Sequence, residues 1–380
     1  MNAASPVVRL QRRIAAVPAA SWNALAGGDN PFLDHAFLAA LEESGSVGEG
    51  TGWLPHHLTL EDETGRLLAA APMYLKLHSQ GEYVFDHGWA QAYERAGGRY
   101  YPKLQIAVPF TPVPGPRLLA PDEGLRRALI GAAIALAEGN KLSSLHVTFA
   151  TETEAALMEG MGLLRRQDRQ FHWHNRGYAD FDAFLASLSH ARRKAIRKER
   201  REVAAAGVEI ETFAGAEICE QHWEAMFGFY MDTGARKWGR PYLNREFFSC
   251  LGAGMASRLA LFFARREGRR IAGALNFVGA DCLYGRYWGC TEEIKHLHFE
   301  LCYYRAIEYA IARGLARVEA GAQGPHKLAR GYLPVTTHSA HWLRDPGFRD
   351  AVERYLVSER AEVAEDIDFL EAHGPYRQGD

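Results

Sequence analysis

Residues His298 to Pro334 read HFELCYYRAIEYAIARGLARVEAGAQGPHKLARGYLP, and this stretch decides the fold. Leu301, Tyr304, Ile307, Ile311 and Leu315 recur at helical spacing, Gly314 can close the helix, and Ala316 to Ala320 can form one short buried strand. A helix feeding a strand is one repeat of an α/β sheet. Ligands of open α/β sheets sit beyond strand ends, which directs attention to Glu319, Gln323, His326, Lys327 and Arg330 just past this one.

Working outward, the same order of elements occurs twice. HLTLEDETGRLLAAAPMYL (His57–Leu75) aligns with ALFFARREGRRIAGALNFV (Ala260–Val278), placing Gly65 over Gly268 and Ala69 over Ala272. Each reads as a strand, a charged turn with Gly, and a longer apolar strand. Each is followed by a helix and a strand: 122–138 and 144–149 in the first half, 299–313 and 316–320 in the second. The chain is therefore expected to be α/β (α+β), a duplicated unit of mixed β-sheet flanked by helices. The expected divisions are an N-terminal domain at 1–175, a basic helical linker at 176–206, and a C-terminal domain at 207–380 ending in a helix from about residue 347 to 372. Pro109, Pro112, Pro114, Pro116 and Pro121 make the connection VPFTPVPGPRLLAP extended and non-helical.

Composition narrows the functional classes. A net charge of -2 over 380 residues gives no global attraction to nucleic acid or anionic membranes, and DNA is not expected as a partner. The strongest apolar run, Ala128 to Ala137, is about half the length that spans a bilayer. The N-terminus carries no sustained apolar core of a secretory signal, so a cytoplasmic location is expected. Five cysteines without a CxxC pair argue for free thiols over a disulfide framework or zinc ribbon. No P-loop, HExxH, GxSxG or dinucleotide fingerprint occurs in a fitting context.

Several clusters carry chemistry. HARRKAIRKERR (His190–Arg201) is nearly continuous positive charge, and Arg192, Arg193, Lys194 and Arg197 suit the phosphates of a donor; the competing reading is a solvated helix. Glu319 is a candidate general base, provided burial raises its pKa, with His298 as the alternative. Lys327, Arg330 and His326 can polarise a carbonyl or hold an anion, and Glu300 sits where a helix dipole favours it. His296, His298 and Glu300 form an HxHxE pattern without a fourth ligand, so no metal is expected. The aromatic segment YVFDHGWAQAYERAGGRYYPK supplies Asp86, His87, Trp89, Tyr100, Tyr101 and Lys103 as a pocket wall. Lys237 and Trp238 lie in a Gly-flanked loop of the second half, and Tyr287, Trp288 and Gln323 complete the candidate substrate-binding set.

The duplicated order, the basic helix, DHGWAQAYERAGGRYYPKLQIAVPFTPVPGPRLL and GAQGPHKLARGYLP together resemble the FemAB-like branch of the GNAT acyltransferase superfamily, from about Asn30 to His373. The resemblance implies two GNAT-like halves in tandem. It also implies an N-acyltransferase that moves an acyl group from acyl-CoA, or an aminoacyl group from tRNA, to an amine on a cell-envelope precursor. No permanently bound cofactor is implied. Bacterial ceramide synthases resemble the same subgroup, which makes a long-chain amine with a fatty acyl-CoA donor the runner-up, with a long apolar groove and transient docking to the inner membrane surface. A non-catalytic tRNA- or glycan-binding protein is the alternative of another class. One departure from the GNAT pattern matters: WGCTEEIKHLHFELC (Trp288–Cys302) lacks the [QR]xxGx[GA] glycines that cradle a pyrophosphate, which weighs against acetyl-CoA. The first copy ends in VTFATETEAALMEG without matching His, Lys and Arg, so the second half is the expected catalytic one.

Overall fold

The computed structural model describes residues 6–237, 241–321 and 324–377, without the side chains of 233–237 and 325. The chain divides into two compact units, Met1–Asp168 with Thr336–Glu365 and Arg169–Val335 with Asp366–Asp380. The expected cut at 175 and 206 differs from this division, because the units take segments from both halves of the chain.

In chain order the first unit contains β1 (Val7–Gln11), α1 (Ala19–Ala26), α2 (His35–Glu43), β2 (Trp53–Pro55), β3 (His57–Glu61), β4 (Leu67–Ala71), β5 (Met73–Lys76), α3 (His87–Arg95), β6 (Lys103–Ile106), α4 (Glu123–Gly139), β7 (Ser144–Ala150) and α5 (Glu152–Glu159). Next come β8 (Leu164–His174), α6 (Phe181–Ser187), α7 (His190–Ala205), β9 (Glu209–Ala214), α8 (Glu220–Lys237), α9 (Arg245–Met255), β10 (Leu259–Arg266), β11 (Arg269–Val278) and β12 (Cys282–Cys290). The second unit continues through α10 (Leu297–Phe299), a π turn (Glu300–Tyr304), α11 (Arg305–Ala312) and β13 (Arg317–Glu319). Last come β14 (Leu333–Leu343) and α12 (Pro346–Ala372).

The two hairpins found in the sequence are present, with one instructive difference. Glu267 and Gly268 take positive φ of 50° and 78°, the two-residue turn that joins β10 and β11 into one ladder. In the first hairpin Pro72 has no N–H to donate, and the long second strand breaks there. β4 stays with β3 in a three-stranded sheet ordered β1-β3-β4, while β5 enters the order β2-β5-β6-β7-β14. β6 runs parallel to β7 over Leu104–Ile106, and β14 pairs antiparallel with β7 from His338 to Leu343. α4 begins where Asp122 caps the Leu125 amide at 2.9 Å, and it packs Leu129, Ile130, Ala133 and Ala137 into the core of this unit.

The second unit's strands run β8-β13-β12-β11-β10-β9. Val318 of β13 and Leu283 of β12 share one apolar cluster with Leu301 and Tyr304 of the π turn and Ile307 and Ala310 of α11. The helical linker expected at 176–206 contains two helices, parted where Leu188 is extended and bridges to Tyr376. No helix among the described residues is long and apolar enough to cross a membrane.

Candidate active site

Strand geometry makes an opening in the second sheet. β12 and β13 pair in parallel over only three positions, Cys282–Tyr284 with Arg317–Glu319, although β12 continues to Cys290. β11 and β12 also shift register, so that Leu275 faces Tyr287 and Asn276 faces Gly285, and Arg286 is the extra residue of a bulge. Where the strands part lies a cavity of about 120 Å³, lined by Asn276, Arg286, Tyr287, Trp288, His298, Cys302, Tyr303 and Gly321. The π turn of Glu300–Tyr304 presents Cys302 and Tyr303 to it; such turns occur often at functional sites.

Glu319 stands where the parallel pair ends. Its side chain lies on the face opposite Val318 and is 5% exposed. Burial pushes its carboxyl up to about 7, while the Arg317 guanidinium at 3.2 Å opposes the rise. Oε2 of the carboxylate accepts no hydrogen bond, and the His172 Nε2 lies 3.8 Å from it. Burial and the neighbouring Arg317 push that imidazole down to about 3, so it is neutral at pH 7. The arrangement leaves a carboxylate with one uncommitted oxygen and a pKa near neutrality, as a general base requires.

The structure separates the remaining residues of the strand-end cluster. Lys327 is buried, donates to the Gly321 carbonyl at 2.6 Å, and is pushed down to about 7 by burial. Arg330 is a clamp: it forks onto Glu199 with both contacts at 2.9 Å, donates to Tyr304 at 3.1 Å, and lies 3.4 Å over the Phe299 ring. His326 is exposed, with Nε2 2.8 Å from the Tyr303 hydroxyl. The His298 ring packs edge-on against Trp288 and Tyr303, each at 5.3 Å. Glu300 is buried and held by Arg200 at 2.9 and 3.1 Å and by Arg305 at 3.2 Å, a positioning contact between α7 and the π turn. Gln323 and Trp238 lie outside the described residues, as does the side chain of Lys237. Among the described residues, no group of three or more His, Cys, Asp or Glu could hold a metal ion.

Of the basic run, Arg200 turns inward to Glu300 and Glu308. Arg192, Lys194 and Arg197 are exposed, Arg197 pairing with Asp182 at 3.1 Å, and Arg193 reaches the Ala186 carbonyl at 3.5 Å.

The aromatic segment builds a different centre, in the first unit. Lys103 is fully buried and donates to Ser79 and Glu82 at 2.8 Å each and to Asp86. Tyr100 donates to Asp86 at 2.7 Å, and Tyr101 meets Ser79 at 2.8 Å. Burial raises Glu82 to about 6; it also works against the Asp86 anion, yet Lys103 and His146 hold that carboxyl well below the usual range. His146 and His341 face each other at 2.7 Å, and Trp89 stacks its edge on His341 at 4.9 Å. His87, by contrast, points to solvent. Sequence reading missed Lys76, Ser79, Glu82, His146 and His341. Ser144, His146 and Thr148 alternate along β7 as a solvent-facing strand would, yet all three are buried. Beside this cluster is a cavity of about 910 Å³ walled by Phe85, Trp89, Tyr93, Phe348 and Tyr355, with Arg166 at its edge.

With this geometry in hand, comparison with known proteins is informative. Residues 13–378 match the FemAB_like family, described as peptidoglycan biosynthesis/recognition. The fold is similar to the crystal structure of FemX, at 12% identity and a TM-score of 0.56 over 89% of this chain and 98% of that one. A similar likeness, at 8% identity and a TM-score of 0.54, holds for the C-terminal domain of a putative lysylphosphatidylglycerol synthetase from Agrobacterium fabrum, over 90% of this chain and 95% of that one. A tandem GNAT protein from the clavulanic acid biosynthesis pathway follows at 13% identity and a TM-score of 0.50, covering 90% of this chain and 99% of that one. No curated protein matches the sequence. The two halves of this chain are thus GNAT-like folds in tandem.

Proposed function

The chain belongs to the FemAB-like family, and from that premise we propose that it is an N-acyltransferase of cell-envelope biosynthesis whose reaction takes place at Glu319. The observation that carries this reading is the buried Glu319 carboxylate, with its free oxygen and near-neutral pKa, at the parting of β12 and β13. An acceptor amine arrives as an ammonium ion and cannot attack until it loses a proton. Glu319 takes that proton, the neutral amine attacks the donor's activated carbonyl, and the leaving group departs with a proton. Beyond Tyr284 the edge of β12 that faced β13 pairs with no strand among the described residues, and in this reading its amides near Tyr287 to Gly289 donate to the developing oxyanion. Lys327, which donates to the carbonyl of the lining residue Gly321, is the side-chain donor of this reading. The donor is an acyl-CoA or an aminoacyl-tRNA, and the acceptor is an amine-bearing envelope precursor or lipid.

The test is turnover with candidate donors and acceptors by wild-type protein and by Glu319→Gln and His298→Ala variants. Loss of activity in Glu319→Gln alone supports the assignment; full turnover in that variant overturns it.

A second reading is favoured by the 910 Å³ aromatic cavity of the first unit. Such a volume, walled by rings and small residues, can receive the hydrocarbon chain of a fatty acyl donor or long-chain amine. Ala92→Trp fills that space. A raised KM for long-chain substrates, with short-chain analogues unaffected, supports this reading, whereas equal kinetics on both removes it. Lipid and peptidoglycan analysis of a deletion strain separates the two acceptors.

A further inference from the structure

The segment that follows α12 folds back onto the break between α6 and α7. Leu188 and Tyr376 form an isolated antiparallel bridge, in which Ser189 donates its amide to the Pro375 carbonyl at 2.9 Å and Arg377 donates its amide to the Ser187 carbonyl at 3.1 Å. Arg176, from the turn after β8, lies 4.2 Å over the Tyr376 ring. The Tyr376 hydroxyl donates to the Gly331 carbonyl at 2.7 Å, and burial raises it above the ordinary tyrosine range, so it stays a donor at pH 7. Gly331 closes the 3-10 turn Pro325–Arg330 with a φ of 93°, a conformation that favours glycine. A Cβ at that position would meet Phe184 of α6 at 2.7 Å and the Tyr376 hydroxyl at 3.3 Å. From this junction hydrogen bonds lead on to the site. The Tyr332 amide donates to the Lys327 carbonyl at 3.3 Å, and Lys327 Nζ donates to Gly321, which lines the 120 Å³ cavity. Among the described residues no carboxylate pairs with Lys327, so its place depends on the backbone turn that carries it.

We propose that residues 374–377 are a clasp on the reaction site: Tyr376 is a positioning residue that holds the turn of Pro325–Gly331 in the conformation that places Lys327, and opening of the clasp lowers turnover. The inference rests on the acyl-transfer reading above and adds a regulated element to its site. The turn has two outside holds within the second unit. One is Arg330 on Glu199 of α7, a charged fork between buried or half-buried groups. The other is the single hydroxyl of Tyr376, carried by a short segment whose neighbours Glu371, Ala372, His373 and Arg377 are exposed. Few buried contacts and exposed backbone mark the parts of a protein that open locally while the core stays folded, so the second hold can release without the first. The contact with the turn is made by the hydroxyl, whereas the ring packs under Arg176. Removing the hydroxyl alone therefore separates positioning from packing.

The experiment compares the full-length wild type with Tyr376→Phe by amide hydrogen exchange, which needs no substrate, and by kinetics on the donor and acceptor found in the turnover test above. Amides of residues 326–332 are expected to exchange about threefold faster or more in the variant, while those of the first unit keep their rates. Its kcat is expected to fall roughly tenfold with KM within about twofold of wild type, since misplacing a reacting group by about 1 Å costs up to about a hundredfold. In a Lys327→Met background the same change is expected to cost less than about twofold in kcat, because a hold that acts through Lys327 has nothing left to place. A merely structural loss would lower kcat by the same factor in both backgrounds. Circular dichroism melting controls for folding. Arg176→Gln, which keeps the hydroxyl but removes the cation over the ring, is expected to give smaller changes of the same sign and serves if Tyr376→Phe unfolds. Unchanged exchange of the turn, unchanged kcat, or an equal loss in the Lys327→Met background each overturns the proposal. The reading above fails separately. If Lys327→Met keeps full turnover, Lys327 is not its donor, and the clasp then stands or falls on whether Tyr376→Phe speeds exchange of the turn.

Discussion

The two units each contain a parallel strand pair of three positions, β6 with β7 and β12 with β13, and they treat the space beyond it in opposite ways. In the first unit the proline-bearing segment fills it. Gly115 donates to the Phe149 carbonyl at 3.0 Å, Leu119 and Ala70 exchange backbone hydrogen bonds at 2.8 and 2.9 Å, and Glu154 accepts from the amides of Arg117 and Leu118. The Arg117 guanidinium, 1% exposed, is spent on the carbonyls of Val113, Gly115, Pro116 and Thr148. In the second unit the corresponding space is a cavity whose wall includes Ala320 and Gly321, the first next in the chain to Glu319 and the second accepting from Lys327, and both ionisable groups have pKa values near neutrality. The first unit fills its cleft with packed chain, and the second leaves its cleft open, the place to which the proposed reaction is assigned.

That contrast breaks first at its two anchors. Glu319→Gln is expected to lower kcat by about 10² to 10⁴-fold without unfolding the protein, since a general base contributes on that order. Arg117→Ala is expected to cost about 3 to 5 kcal/mol of stability in urea unfolding, because the buried carbonyls of Val113 and Thr148 lose their donor, while the kcat of the folded fraction stays intact. If Arg117→Ala instead abolished turnover in a folded protein, the first cleft would have a catalytic role and the comparison would collapse.

Smaller effects sharpen it. Log kcat/KM should rise with pH and level off near 7, the value at which Glu319 ionises. The same shift has a stability consequence. A carboxyl with a folded pKa of about 7 against an ordinary 4.5 is penalised once ionised, so wild-type stability should fall relative to Glu319→Gln as pH rises from 4.5 through 7 and stay level above. Parallel melting curves of the two proteins across that window check it. Lys327→Met, which removes a donor at the opening, is expected to cost about ten- to a hundredfold in kcat. His326→Gln should change kcat less than about threefold, since an exposed imidazole 2.8 Å from a tyrosine hydroxyl contributes about one ordinary hydrogen bond.

The elements were legible where local chemistry decides them. Asp122 and Gly139 bracket α4 as read, the strand at 144–150 and the C-terminal helix fall where expected, and the run of prolines is extended. Local chemistry did not reveal what distant segments contribute. The helical linker read across 176–206 holds two helices that part at Leu188, where Tyr376 bridges to the chain. Glu300 looked available beside its histidines, but Arg200, a hundred positions earlier, neutralises it. His146 was missed because its partner, His341, lies on a strand that alternation alone cannot assign to β7. Glu319 was reachable from the sequence as the polar end of a buried strand. Its free oxygen was not, since that depends on where β12 and β13 part.

The interleaving of the two units has a consequence for synthesis on the ribosome. β7 leaves the exit tunnel long before its neighbour β14, and the His146 to His341 contact spans 195 residues. At about 5 to 20 residues per second the nascent sheet waits on the order of 10 to 40 s for that strand. During this interval one edge of β7 is bare, an invitation to mispairing with other chains. A gene cut at the midpoint therefore yields two incomplete sheets, and chaperone dependence in vivo is expected to track translation speed over the second half of the message.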